Sequence, residues 1–218
     1  MSRASRVAVA LLCTAFAAGG CEPTIPVRDC TGCSYDFADT IPPDILVFHW
    51  PTAALPVRFY ADPRGAMPTL VSHGLAAWEA QFLYREFSWV AASDSTQADV
   101  IVQWSGSVPP DVPPDPGPPV AACGGQTVYP SWAIGTSPGR AVRVSLGALG
   151  GYTQAQVAAC LQRVAMHELG HAIGLLKHSP SPLDIMNQTP TVDSPSSADR
   201  NTAEILYHTT ATAVPPPR

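Results

Sequence analysis

Two histidines four residues apart, with a glutamate directly after the first, constrain this chain more than any other feature: His167-Glu168-Leu169-Gly170-His171. Residues i and i+4 of an α-helix lie one above the other on a single face. On a helix both imidazoles can therefore address one ion, with Glu168 beside them in reach of a water on that ion. The flanking residues supply the helix. Thr153 and Gln156 form a capping box, and Val157, Leu161, Val164 and Glu168 fall along one stripe. Gly174 stops the pattern three residues after His171, and His178 follows in the next turn. The chemistry implied is that of a zinc hydrolase. Imidazoles hold the metal, the metal acidifies water and polarises a carbonyl, and Glu168 moves the proton as general base.

Upstream, the hydrophobic pattern alternates between the two regular periods. Leu55, Val57 and Phe59 alternate with Pro56, Arg58 and Tyr60 as a half-buried strand does, and Val71, Leu75, Trp78 and Phe82 recur at helical spacing after Pro68 and Thr69. Phe87 to Ala91 and Asp99 to Trp104 predict two strands around a polar turn at 93–97. Gly125 to Tyr129 predicts a short strand whose glycines and following proline favour a sheet edge, and Val142, Val144 and Leu146 predict another strand. His49, His73 and His208 have no ligand spacing and are expected outside any site, while Trp78, Trp89 and Trp104 fall in periodic stretches and read as core.

The chain has 218 residues, enough for one domain with a substantial core, and is 46% hydrophobic and 13% charged with a net charge of −5. No basic surface remains to grip nucleic acid. Arg3 and Arg6 precede an apolar run from Val7 to Ala18 that is too short to span a bilayer, which predicts an export signal over residues 1–20. Ala18-Gly19-Gly20-Cys21 resembles a bacterial lipoprotein processing site, with Ala18 where leucine is usual, whereas Ala15-Phe16-Ala17 suits ordinary signal cleavage. The lipoprotein reading is preferred, and either one places the mature chain outside the cytoplasm. Residues 21–53 then read as a tether or ordered lead-in, and 209–218 as a proline-rich tail. Export permits disulfides; sequence does not set their connectivity, and the preferred pairs are Cys30 with Cys33, which free thiols would also suit, and Cys123 with Cys160.

The stretch from His167 to Ser179, with Ser181-Pro182-Leu183-Asp184-Ile185-Met186 after it, resembles the zinc motif and methionine turn of the metzincin clan, most closely its bacterial matrixin-like members. The resemblance extends in element order over about residues 54–208. It implies an α+β zincin fold: a twisted mixed sheet with two long helices, a methionine turn and a closing helix near Ser196 to Tyr207. It also implies a metalloendopeptidase with zinc on His167, His171 and His178 and with Glu168 as catalytic base. One departure stands out. The family places its third histidine three residues after the glycine, where this chain has Lys177, and His178 comes one later. His178 through a bulged turn, Asp184 or another oxygen, or no residue at all would complete the set. His178 is favoured, because the added residue lies in irregular chain.

The same resemblance places Gly125 to Tyr129 along the cleft, where an extended peptide substrate would add as a further strand, and makes Pro190-Thr191-Val192 similar to the wall of a specificity pocket. Val192 stands where tyrosine is common, and Asn187 and Gln188 offer no tyrosine ligand. The family's cysteine-bearing inhibitory segment is not recognisable. Calcium, which occurs in matrixins, could draw on Asp111 and Asp115, although a solvated proline-rich loop is the preferred reading there. The expectation is a monomeric, zinc-dependent endopeptidase of the cell envelope or exterior, with a membrane link only through a lipid at Cys21. The competing expectation is a non-catalytic zinc-binding lipoprotein that keeps the fold as a binding module.

Overall fold

The structure is a computed structural model that describes residues 34–41, 44–133 and 139–217. The export signal, Cys21 and the Cys30 and Cys33 pair lie outside the described residues. In chain order the elements are β1 (Asp39–Ile41), β2 (Asp44–Leu46), β3 (Val57–Ala61), α1 (Met67–Glu79), β4 (Trp89–Ala91), β5 (Val100–Trp104), β6 (Cys123–Val128), β7 (Val142–Ala148), α2 (Gln154–Ile173) and α3 (Ser197–Tyr207).

Five strands form one sheet in the order β4-β3-β5-β7-β6, while β1 and β2 make a separate antiparallel pair. Neighbours from β4 to β7 run parallel, and β6 closes the edge antiparallel to β7, in register from Cys123 opposite Ala148 to Val128 opposite Arg143. Parallel neighbours need crossovers, and α1 supplies one of them. The alternation seen in the sequence is the alternation of burial. Val57 and Phe59 in β3, and Val142, Val144 and Leu146 in β7, are buried, while the residues between them are half-exposed. Their buried side chains share one core with Leu75 and Trp78 of α1 and with Met166, Leu169 and Ile173 of α2. The indole of Trp78 also donates to the Met166 carbonyl at 2.8 Å, so the two long helices are joined by a polar bond inside the apolar layer. The matrixin-like α+β layout expected from the sequence is the one present, a mixed sheet with three helices.

Element limits shift in instructive ways. Helix α1 ends at Glu79, before Phe82, yet Phe82 is buried from the turn that follows, against Phe87 and Tyr207. The strand predicted from Phe87 shortens to Trp89–Ala91, because Phe87 points into the core ahead of the ladder. The edge strand starts two residues earlier than expected, at Cys123, and releases Tyr129 to bond elsewhere. Cys123 is disulfide-linked to Cys160 of α2, the expected pairing.

Between a tether and an ordered lead-in, residues 34–53 are the latter where they are described. Leu46, Val47, Phe48 and Trp50 are buried in the main core. Val47 receives backbone bonds from Thr212 and Ala213, and Phe48 bridges Ala213, so both ends of the domain close on each other. Packed residues therefore lie on both sides of residue 54, and Ala213 is buried as well. Among the described residues, no helix is long and apolar enough to cross a membrane.

Candidate metal centre

Helix α2 carries the site and is fixed at both ends. At its start Thr153 Oγ1 accepts from the Gln156 amide and Gln156 Oε1 accepts from the Thr153 amide, which completes the capping box. At its end Gly174 takes φ 126°, a left-handed conformation that side chains resist. The last carbonyls of a helix lack intrahelical partners and need others. Here three aromatic side chains from three distant segments bond them: Tyr129 donates at 2.7 Å to the His171 carbonyl, which also takes the Gly174 amide, Trp50 to Ala172 at 3.0 Å and Tyr207 to Ile173 at 3.0 Å.

On this helix the side chains of His167 and His171 converge. Each has its second ring nitrogen against a backbone carbonyl, His167 Nδ1 at 2.8 Å from Ile185 O and His171 Nδ1 beside Leu175 O. A carbonyl only accepts, so both Nδ1 atoms carry the proton and both Nε2 atoms are bare lone pairs. Those two lone pairs lie 3.1 Å apart, and His178 Nε2 lies 3.3 Å from His171 Nε2. Without a proton between them the first contact is repulsive, and a cation is what makes it favourable. Tetrahedral zinc with bonds of about 2.0–2.1 Å spaces its ligand nitrogens by about 3.3 Å. The donor set therefore fits that ion in chemistry and spacing. The three histidines are the one group of this kind among the described residues, their ligand atoms lying within 4.8 Å of one another. Burial pushes His167 down to about 4 and His171 down to about 3, and lowers His178 as well, so all three favour the neutral form that ligates.

Of the completions left open by the sequence, the structure brings His178 to the group. Lys177 turns outward to bond Asp36 at 2.8 Å. Asp184 is buried elsewhere, accepting from Ser179 and, at 2.7 Å, from Ser196. The methionine turn is tied beneath the helix: Asp199 of α3, fully buried, accepts from the Ile185 and Met186 amides at 2.8 and 3.2 Å, and Met186 is itself fully buried. The same carboxylate takes a 2.6 Å bond from the Tyr35 hydroxyl of the lead-in.

Glu168 is buried beside the cluster, and its loss of solvent raises the carboxyl to about 7, against the opposing pull of the Thr127 hydroxyl. A group that gains and loses a proton near neutrality suits general-base work. Strand β6 runs directly over it. A Cβ at Gly125 would lie 2.5 Å from Glu168 Cγ and 2.6 Å from Val164 Cγ1, so only glycine lets strand and helix come this close.

The model of the matrixin family, peptidase M10, matches residues 63–208, about two thirds of the chain. The chain belongs to the matrixin family. No curated protein matches it at significant similarity. Membership in a zinc metallopeptidase family accords with the three-histidine group that could hold a metal.

Beside the matrixin site a cavity of about 400 Å³ opens between β6, α2 and the loop after the methionine turn, with Pro190 and Thr191 on one wall and the Cys123–Cys160 disulfide on another. Val192, expected in that wall, packs instead against the main core. Arg163 also lines the cavity, its Nε 2.7 Å from Asp193. Sequence reading passed over Arg163 and Thr127, although each carried a signal. Arg163 precedes His167 by four residues and so shares its face, and Thr127 lies two residues from Gly125 on the same side of the strand. His49, His73 and His208 stand apart from the centre: His49 bonds the Thr209 carbonyl and His208 pairs with Glu86. Asp115 closes a local turn on the Gly117 amide.

Proposed function

We propose that this matrixin is a zinc-dependent endopeptidase acting outside the cytoplasm, with His167, His171 and His178 as ligands and Glu168 as general base. The observation that carries the reading is the convergence of three imidazole Nε2 atoms, two of them bare by their Nδ1 bonds, next to a buried carboxylate at an open sheet edge. A site that only stored metal would have no use for that carboxylate. Zinc bound there supplies a Lewis acid for the attacking water and the scissile carbonyl. Glu168 would accept the proton of that water and deliver it to the departing amine nitrogen.

Strand β6 supports the mode of substrate binding. Leu149 N donates to Ala122 O, which makes that opposed pair a hydrogen-bonded one, and such pairs alternate along an antiparallel ladder. Leu146, opposite Gly125, gives its carbonyl to Ser105 on the other side, as the alternation requires. The backbone groups of Gly125 and Thr127 therefore face away from β7, where an extended peptide would pair with them as a sixth strand across the metal. A disulfide in the domain accords with an oxidising compartment, as does the export signal read from residues 1–20.

The purified mature protein is expected to hold about one zinc per chain and to cleave unfolded proteins or peptide libraries. Glu168→Ala should end cleavage and keep the metal. A zinc-loaded wild type that leaves broad peptide libraries intact would overturn the reading.

A further inference from the structure

The carboxylate of Glu168 is held at one oxygen only. Thr127 Oγ1 lies 2.6 Å from Glu168 Oε2 and 3.1 Å from the backbone oxygen of the same residue. Among the described residues no other side chain bonds this carboxylate. The hydroxyl has one proton for these two acceptors, the carboxylate oxygen being the nearer, and it holds the tip of Glu168 close to its own main chain. Oε1 lies 2.7 Å from where a Cβ at Gly125 would stand, so the bare glycine backbone is what leaves room for it.

We propose that Thr127 is a positioning residue that divides the labour between the two oxygens of Glu168, anchoring Oε2 so that Oε1 alone faces the water to be deprotonated. The geometry requires a hydroxyl on the edge strand and an absent side chain two residues earlier, and β6 provides both on one face. Because the anchor is on the strand that would also pair with substrate, the base and the bound peptide take their positions from the same backbone. This deepens the proposed peptidase function and rests on it for its kinetic consequence, though not for its structural one.

Thr127→Val keeps the shape of the side chain and removes the hydroxyl, and Thr127→Ser keeps the hydroxyl. The expected result is a kcat for Thr127→Val lower by about 10–100-fold, the usual cost of losing a partner that orients a reacting group, with KM and zinc content unchanged. Thr127→Ser should recover most of the loss, and Thr127→Ala serves as the hydroxyl-free variant if valine does not fold. In crystals of the zinc-loaded hydroxyl-free variant, the Glu168 carboxylate should leave its wild-type position. Wild-type kcat in Thr127→Val, equal impairment in Thr127→Ser, or an unmoved carboxylate would each overturn the proposal. A wild type that cleaves nothing removes the proposed function, and the position of the carboxylate then still decides whether Thr127 holds it.

Discussion

Lys177 Nζ lies 2.8 Å from Asp36 Oδ2, and this pair turns the residue that lengthens the glycine-to-histidine spacing away from the three imidazoles. Next to it, the Leu176 amide bonds the Phe37 carbonyl, so the extra residue is taken up where the lead-in meets the turn. Exposed ion pairs of this kind contribute little. Lys177→Ala should therefore leave zinc affinity unchanged, whereas His178→Ala should weaken it by more than the about 10–100-fold typical of a residue that only supports a ligand. Competition with a chromogenic chelator measures both, and equal affinities in the two variants would remove His178 from the ligand set.

Gly125→Ala should be far more harmful than its size suggests. The new methyl would meet Glu168 Cγ and Val164 Cγ1 at 2.5 and 2.6 Å, and one of strand, helix or carboxylate must move. A displacement of about 1 Å at a reacting group can cost about 100-fold in rate. The variant should keep its zinc and lose about that much kcat, with a stability loss of about 1–3 kcal/mol from overpacking. Metal analysis together with steady-state kinetics separates this from simple unfolding.

How much of this could be read in advance depended on the range of the contacts. The capping box, the two ligands on α2 and the alternating strands are set by residues a few positions apart, and periodicity exposes them. Trp50 lies in a proline-rich stretch with no period, and its role comes from a bond 122 residues away to Ala172. Thr127 and Glu168 are 41 apart, and only the register of β6 over α2 brings them together. Phe82 kept its place in the core while leaving the helix, because burial follows the hydrophobic surface and the helix ends where its backbone bonds do.

Removing the Cys123–Cys160 bridge should destabilise the domain without emptying the site. The bond closes 37 residues of sequence, for which chain entropy gives about 3–4 kcal/mol. Cys160 lies about two helical turns before His167, so the imidazoles keep their own backbone anchors. A Cys123→Ser, Cys160→Ser double variant should show an earlier urea midpoint by that margin and still bind zinc. An unchanged midpoint would mean that the bridge constrains nothing.

Acid should weaken the metal-free protein from near neutrality downward. Burial, reinforced by the neighbouring imidazoles, holds His167 at about 4 and His171 at about 3 in the folded chain, while in the unfolded chain both titrate near the ordinary value of about 6.5. At these two residues the unfolded state binds protons first, and stability present above about pH 6.5 is lost as the pH falls toward 4; Glu168, raised to about 7 in the folded chain, gains over the same window and offsets only part of the loss from the two imidazoles. Bound zinc competes with those protons, so the loaded protein should resist until the metal leaves. Urea midpoints at pH 7.5 and 5 measure this, and a metal-free protein more stable at pH 5 would contradict it.

The three aromatic donors at the end of α2 have a consequence for biosynthesis. Trp50, Tyr129 and Tyr207 arrive from the beginning, the middle and the end of the domain, and each satisfies a different carbonyl of the turn that carries His171. No partial chain holds all three. A nascent polypeptide still in transit, or a fragment nicked in a loop and separated, has an open helix end in place of an ordered third side for the ion. In the peptidase proposed above, cutting would therefore wait on the completion of the fold.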